Sequence, residues 1–346
     1  MDAKKRILII RIDFLGDMVC TTPLLHALKT SWPQSEIHVI ANKYNAPILD
    51  NNPAVSKVHY YVYSKNRHKN IRPGFFNYIK ERLSLILSLR KLKFDLLIIP
   101  NGGMCKNAIS FARQLKVPDC RWHNAATEFD DRVKAHVATR PLIHEALAGF
   151  MLVPELGMPD IEQLKLHIFP CPEKVDFWQK KLGAKKKLRV GFFVSNNSVQ
   201  RQWPTEKWLT LSDALGDGYE IVVFHSPQEN SSAVWREEKE TREIFTPTVP
   251  DLIAAMTQLD LVISADSAPV HLASALQIPL VALFESRLEK YRRWHPLGVR
   301  AILLYEGKQV SDISVTSVVT AVNKLLSEDK TSELQPFSVE RSLAYQ

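Results

Sequence analysis

Residues suited to holding a phosphorylated ligand lie together in the stretch Leu261 to Phe284. A short apolar run, typical of a strand buried on both faces, is followed there by Asp266 and Ser267, and His271 comes four residues after the serine. Pro269 and the small residues after it predict a helix that begins beside Ser267. A helix N-terminus offers N–H groups and a positive dipole end to an anion, and ligands of open α/β sheets bind beyond the carboxyl ends of strands. The stretch therefore predicts the floor of a phosphate site; the alternative for His271 is a histidine packed in the core.

Two more groups of polar residues follow predicted strands in the same half of the chain. Asn196, Asn197 and Arg201 follow the predicted strand Leu188–Val194. Amide groups and a guanidinium can bind and neutralise a diphosphate, although a solvated loop is the alternative. Glu229 follows the next strand, where its carboxylate could bind a ribose hydroxyl or simply face solvent.

A carboxylate with a different possible task stands near the beginning of the chain. Asp17 follows Gly16, a few residues beyond the first predicted strand, Arg6–Ile10. A dinucleotide-binding fingerprint needs three glycines and this turn has one, so a nicotinamide or flavin site is poorly supported. A carboxylate in such a turn can act as a general base toward a substrate hydroxyl. The alternative is that Asp17 or Asp13 caps the helix that follows.

The elements that position these residues alternate between strand and helix in both halves of the chain. Such alternation predicts parallel sheets with helices on both faces. The further predicted strands are Glu36–Ala41, Lys57–Val62, Asp95–Pro100, Glu220–His225, Leu261–Ser264 and Leu280–Phe284, and the predicted helices include Leu24–Ser31, Phe75–Leu92, His144–Leu152, Thr205–Leu215, Pro250–Gln258 and Val315–Leu326.

This pattern predicts two doubly wound, Rossmann-like domains that face each other across a cleft. The expected boundaries are residues 1–165 for the first domain and 188–328 for the second. Residues 166–187, which contain two prolines and a run of three lysines, are expected to be a linker, and residues 329–346 a polar tail.

Composition narrows the class of protein. The 346 residues are 45% hydrophobic and 24% charged, which is typical of a soluble globular chain, and no apolar run approaches the roughly 18 residues of a membrane span. The N-terminus is expected to be a first strand and not a signal peptide. Four cysteines without CxxC pairs argue against a zinc site or a disulfide framework and suit a reducing cytosol.

A net charge of +8 indicates anionic partners. No DNA- or RNA-binding motif accompanies the basic residues, so nucleic acid is not expected. The basic loop from Lys65 to Arg72 is either solvated surface or faces an anionic acceptor or a membrane.

Four motifs in a fixed order resemble one protein family. They are ILIIRIDFLGDMVCTTPLLHALK, RQWP, SADSAPVHLASALQIPLVALFE and RRWHPLG, and the resemblance runs from Ile7 to about Leu326. The chain resembles the bacterial heptosyltransferases of glycosyltransferase family nine, which build the inner core of lipopolysaccharide. The resemblance implies a GT-B fold and an inverting transferase that uses a nucleotide-diphosphate heptose, without a metal ion or another cofactor.

The resemblance also implies roles for single residues. Asp17 would be the general base, and Arg201 would bind the donor phosphates. The remaining implied donor contacts are Asn196, Asn197, Glu229, Asp266, Ser267, Ala268 and His271.

The chain departs from the family pattern at two places in its donor region. Ala268 stands where the family usually has glycine, which adds a methyl group where backbone would approach phosphate. Glu285-Ser286-Arg287 replaces the usual Gly-Pro-Thr, and its carboxylate would oppose an anionic donor unless Arg287 pairs with it.

The expected function is transfer of a sugar, heptose from ADP-heptose, to a lipopolysaccharide core or related surface-glycan acceptor. The alternatives are a nucleotide-sugar epimerase or hydrolase of the same architecture, or a non-catalytic relative that binds nucleotide sugars. The expected partners are the donor, an anionic glycolipid and, transiently, the surface of the inner membrane. The expected location is the cytoplasm, peripheral at that membrane.

Overall fold

The structure, a computed structural model, describes residues 5–124, 134–135, 142–196, 198–225 and 241–327. These residues fall into two compact units. The first contains the chain up to residue 160 together with residues 167–169, and the second contains residues 161–166 together with those from 170 onward. Among the described residues, no helix is both long enough and apolar enough to cross a membrane.

The first unit is a parallel sheet in the order β3-β2-β1-β4-β5 with helices around it. Its elements are β1 (Arg6–Ile10), α1 (Leu15–Ser31), β2 (Glu36–Ala41), β3 (Lys57–Tyr60), α2 (Phe75–Lys91), β4 (Leu96–Ile99), α3 (Lys106–Leu115), β5 (Asp119–Trp122) and the short α4 (Glu145–Ala148).

The second unit is a six-stranded parallel sheet in the order β11-β10-β9-β6-β7-β8. Its elements are α5 (Pro172–Leu182), β6 (Leu188–Phe193), α6 (Thr205–Leu215), β7 (Tyr219–His225), β8 (Thr241–Phe245), α7 (Val249–Met256), β9 (Leu261–Ala265), α8 (Ala268–Leu276), β10 (Leu280–Leu283), α9 (Leu288–Trp294), β11 (Ala301–Leu304) and α10 (Val315–Ser327). The predicted class, two parallel α/β sheets, is confirmed.

Both sheets reverse their strand order at one place. In the first sheet the reversal lies between β1 and β4, and in the second it lies between β6 and β9. Counted from its first strand, the second sheet has the order 3-2-1-4-5-6 of dinucleotide-binding proteins. Ligands of open α/β sheets bind at such a switch point, beyond the carboxyl ends of the two strands. The loops that follow β1, β4, β6 and β9 are therefore the places to look for a site.

The helix after β1 begins nine residues before the predicted start at Leu24. Pro23 lies inside α1 and has no N–H with which to bond the carbonyl of Val19. The hydroxyl of Thr22 donates to that carbonyl instead, at 2.7 Å. Because the lost bond is replaced, the helix continues through the proline, and Asp17 lies in its first turn.

Part of the predicted linker is a helix of the second unit. Pro172 occupies the first turn of α5, where a missing N–H costs nothing. Trp178 of this helix is fully buried, and its indole nitrogen lies 3.3 Å from Asp251 Oδ1, which also accepts from Lys174 at 2.8 Å. These contacts fix residues 172–182 against α7.

Candidate active site

In the first unit, a buried guanidinium gathers three carboxylates at the switch point. Arg11 follows β1 and is 1% exposed. Its Nε donates to Asp13 Oδ1 at 2.8 Å, and its Nη2 donates to Asp17 Oδ1 at 2.6 Å and to Glu145 Oε1 at 3.0 Å. One positive charge therefore faces three acidic groups in a site with little access to water.

The loop after β4 completes this cluster from the other side of the switch point. Asn101 donates its side-chain amide to Asp13 Oδ2, and the backbone N–H of Gly102 donates to Glu145 Oε1 at 2.9 Å. Asn42, after β2, donates to the backbone carbonyl of Asp13 at 2.7 Å. The arrangement of the acidic side chains is thus fixed by the ends of three neighbouring strands.

The pKa of Asp17 is raised to about 7. Burial is the largest cause, because it disfavours the charged carboxylate, and the negative charge of Asp13 adds to it. The ion pair with Arg11 opposes the rise, while Glu145 contributes to it. A carboxyl group that titrates near neutral pH is suited to accept a proton from a substrate hydroxyl.

Asp17 does not have the capping role that was the alternative. The N-cap residue of α1 is Phe14, whose side chain forms no capping hydrogen bond. Asp13 is used by Arg11 and Asn101. The ion pair with Arg11 does not bury the Asp17 side chain completely, because 15% of its surface stays exposed. This partly accessible carboxylate can still meet a substrate.

In the second unit, the loops after β6 and β9 are joined by hydrogen bonds. Arg201 Nη1 donates to the backbone oxygen of Asp266 at 3.2 Å and to its Oδ2 at 3.3 Å. The side-chain amide of Asn196 donates to the same backbone oxygen at 3.0 Å. Burial raises the pKa of Asp266, and the positive charges of Arg201 and Lys290 oppose that rise.

These contacts separate two kinds of residue in the predicted donor site. Asn196 uses both ends of its amide within the protein, because its Oδ1 also accepts from the N–H of Ser198 at 3.0 Å. Asp266 is 5% exposed and holds Arg201 in place. The Arg201 side chain keeps 32% exposure, so it can present positive charge to a ligand. Asn196 and Asp266 therefore position the loop, and Arg201 is the group that can reach out of it.

Ser267 and Ala268 lie at the start of α8, as predicted. Ser267 is the N-cap residue, and its hydroxyl donates to the carbonyl of Ala265 at 3.0 Å. Ala268 is the first residue of the helix and is partly exposed. His271 is 4% exposed and its ring lies 5.8 Å from that of Trp294, edge to face, which agrees with the alternative of a packed histidine.

The carboxylate that departs from the family pattern is neutralised. Arg287 Nη2 lies 3.1 Å from Glu285 Oε1, which meets the condition set out from the sequence, and Arg287 also approaches Glu289 at 3.8 Å. Glu285 therefore does not present an unpaired negative charge to an anion.

Some candidates cannot be placed, and some important residues were not predicted. Asn197 and Glu229 lie outside the described residues. Sequence reasoning missed Arg11 and Glu145. Two signals in the sequence could have revealed them. Arg11 is a charged residue directly after a buried strand, and Glu145 is the single acid in the apolar segment HEALAGFML.

Comparison with known proteins identifies the family of the chain. The family model described as glycosyltransferase family 9 (heptosyltransferase) matches residues 82–317, about two thirds of the chain. The chain belongs to this family. It is therefore a glycosyltransferase, and the resemblance first seen in the sequence motifs is confirmed.

Individual relatives cover nearly the whole chain. It is 26% identical over 344 residues to lipopolysaccharide heptosyltransferase 3 of Escherichia coli K12, which covers 92% of this chain and 97% of that protein. A family 9 glycosyltransferase from Veillonella parvula superposes with a TM-score of 0.76 at 23% identity and covers 95% of this chain and 99% of that structure. The structure of E. coli ADP-heptose lipopolysaccharide heptosyltransferase II superposes with a TM-score of 0.69 at 19% identity. The match covers 93% of this chain and 99% of that structure. The match extends over both units and supports the GT-B fold.

Proposed function

We propose that this glycosyltransferase moves heptose from ADP-heptose to a saccharide acceptor of the lipopolysaccharide core, with inversion at the anomeric carbon. The acceptor class is proposed from the name of the E. coli relative, a lipopolysaccharide heptosyltransferase, and the donor from that of the solved structure, which includes ADP-heptose. The observation that carries the chemistry is Asp17, a partly accessible carboxyl group whose pKa is about 7 at a switch point of the fold.

The first unit supplies the base. The Asp17 carboxylate takes the proton from an acceptor hydroxyl as the oxygen attacks the anomeric carbon of the donor. A new C–O bond forms on one face of the sugar while the bond from the anomeric carbon to the diphosphate oxygen breaks on the other, and ADP leaves. Arg11 orients Asp17 and limits how far its pKa rises.

The second unit supplies the groups for the leaving diphosphate. Negative charge grows on ADP as the bond breaks, and positive groups placed in advance lower the energy of that state. Arg201, held by Asp266, and the N-terminal end of α8 at Ser267 and Ala268 provide such groups. We propose that they suffice without a divalent metal, so transfer is expected to continue in the presence of EDTA.

The Asp17→Asn variant tests the proposed base. Asparagine keeps the size of the side chain and an oxygen for Arg11 but cannot accept the proton, so transfer should fall by about 10² to 10⁴. Calorimetric binding of ADP should be unchanged, because Asp17 belongs to the first unit. Asp119→Asn, a change at a carboxylate that pairs with Arg121 outside the cluster, is the control. Transfer that survives in Asp17→Asn would refute the role of this residue.

The identity of the donor has its own test. A bound nucleotide raises the melting temperature by mass action, so ADP should stabilise the protein while UDP and GDP should not. Arg201→Ala should remove most of that stabilisation. Consumption of ADP-heptose at an equal rate with and without acceptor would instead identify a hydrolase.

A further inference from the structure

An apolar stripe lies exposed on α2 of the first unit. Phe76, Ile79, Leu83 and Leu87 are 85%, 39%, 56% and 56% exposed. Their spacing of three to four residues places them along one side of the helix. Six of the fifteen large apolar side chains that are exposed in the described residues lie between positions 71 and 87. Clustering of this kind marks an interaction surface, whereas single exposed apolar residues are ordinary.

A neighbouring side of the same helix packs against the first unit. Ile86 and Leu89 are buried, and they belong to the core of the first unit. The Arg82 guanidinium lies 4.8 Å from the ring of Phe111 in α3. Because α2 already has a packed side, its outer stripe is not needed to hold the helix on the sheet.

Positive charge is concentrated in the same segment of the chain. Residues 65–91 contain eight Lys or Arg and one acidic residue, Glu81, which gives a net charge of +7 out of +8 for the whole chain. Glu81 itself lies 3.7 Å from Arg72. The Arg67 guanidinium lies 5.5 Å from the ring of Phe75, so the basic loop is packed at the start of the helix and forms one surface with it.

We propose that α2 and the basic loop before it form a docking face for a bilayer that contains anionic lipids. In this arrangement the helix lies parallel to the membrane, with the apolar stripe among the upper acyl chains and Lys65, Lys69 and Arg72 among the head groups. A second copy of the chain fits this face poorly, since two strongly basic surfaces repel each other. A purely polar polyanion would use the basic loop but leave the apolar stripe in water.

Flotation of the full-length protein with lipid vesicles tests the docking face. Vesicles of phosphatidylcholine with 30% phosphatidylglycerol should bind the protein, and pure phosphatidylcholine should bind it far less. The double variant Leu83→Ser/Leu87→Ser should reduce partitioning at least tenfold, because two apolar contacts are lost. Removing Lys69 or Arg72 as Gln variants should cost about fivefold each. Leu188→Ser, at an exposed leucine of the second unit, should leave partitioning unchanged.

Fluorescence quenching provides a second test of the docking face. Phe76→Trp places an indole on the stripe, and lipids brominated in the upper acyl chain should quench its added fluorescence. Transfer to a soluble acceptor fragment should be the same in the wild type and in Leu83→Ser/Leu87→Ser. Failure of docking can thereby be told apart from failure of the proposed reaction.

Three results would overturn the proposal. One is the absence of binding to anionic vesicles. Another is binding that responds to the basic variants but not to the leucine variants or to brominated lipid, which would indicate a polyanion site. The third is a change from dimer to monomer in Leu83→Ser/Leu87→Ser, measured by sedimentation, which would assign the stripe to a second copy.

Discussion

Glu145 is expected to contribute, after burial and Asp13, to the pH range in which Asp17 works. Asp17 Oδ1 and Glu145 Oε1 lie 2.6 and 3.0 Å from the same nitrogen of Arg11, so the two oxygens are less than about 6 Å apart. Two unit charges at this separation repel by about 3 kcal/mol at an effective dielectric constant of about 20. This repulsion favours the protonated form of Asp17. The Glu145→Gln variant removes it and keeps an oxygen for Arg11 and for the N–H of Gly102.

The expected change is a shift of the pH profile toward acid. Asp17 acts when it is deprotonated, so kcat/KM rises with pH through the pKa of this group, about 7 in the wild type. One pKa unit corresponds to about 1.4 kcal/mol, and Arg11 offsets part of the repulsion, so the acidic limb should move down by about one to two pH units. The weaker base should also give a lower plateau.

The assay is the initial rate of transfer from pH 5 to 9, with the wild type, Glu145→Gln and Glu155→Gln compared. Glu155→Gln is the matched control, because Glu155 pairs with an arginine, Arg121, outside the cluster. An acidic limb that stays in place in Glu145→Gln, or that moves by the same amount in Glu155→Gln, would refute electrostatic coupling between Glu145 and the base.

Three further predictions concern stability and are read from urea unfolding. Gly298→Ala should lower the free energy of unfolding by about 1–3 kcal/mol, because a Cβ there would lie 2.6 Å from the Leu164 carbonyl oxygen at a φ of +64°. Gly183→Ala is the control and should cost less, because its φ is +70° but no atom lies within 4 Å of its Cβ position. Equal losses in the two variants would refute the clash. Trp178→Ala should cost about 3–5 kcal/mol because α5 loses its fully buried anchor, and a loss below 1 kcal/mol would show that α5 is dispensable. Burial lowers the pKa of His295 from 6.5 to about 4, so the folded state loses stability relative to the unfolded state as the pH falls from 6.5 toward 4. Over that range the free energy of unfolding of His295→Gln should fall by about 3 kcal/mol less than that of the wild type. Parallel plots of this free energy against pH would contradict the prediction.

Sequence reasoning placed the second half of the chain well because the informative signals there are local. The apolar run of β9, the prolines and the small residues of α8 all lie within twenty-five residues of one another. Asp266, Ser267 and Ala268 accordingly stand where they were expected. The sequence did not indicate that Asn196 holds the loop after β9, because its hydrogen-bond partner, the backbone oxygen of Asp266, lies 70 positions further along the chain.

The cluster around Asp17 was predictable only in part. The position of Asp17 after β1 predicts its role, but Glu145 lies 134 positions from Arg11 and no periodicity joins the two. Helix α1 begins earlier than predicted, and the sequence gives no sign that Thr22 replaces the hydrogen bond that Pro23 cannot form. The composition of residues 172–182 predicts a linker, whereas they form a helix, since prolines and lysines are common in linkers and also at helix ends.

The distance in sequence between Arg11 and Glu145 has a consequence for synthesis of the protein. The first strand and helix leave the ribosome long before the acid that completes the cluster, at a rate of about 5–20 residues per second. Until residue 145 emerges, the arginine cannot form its full set of ion pairs. A nascent or truncated chain that ends before this point is therefore expected to lack the proton acceptor in its working state, so the enzyme gains its chemistry only after most of the first unit has been translated.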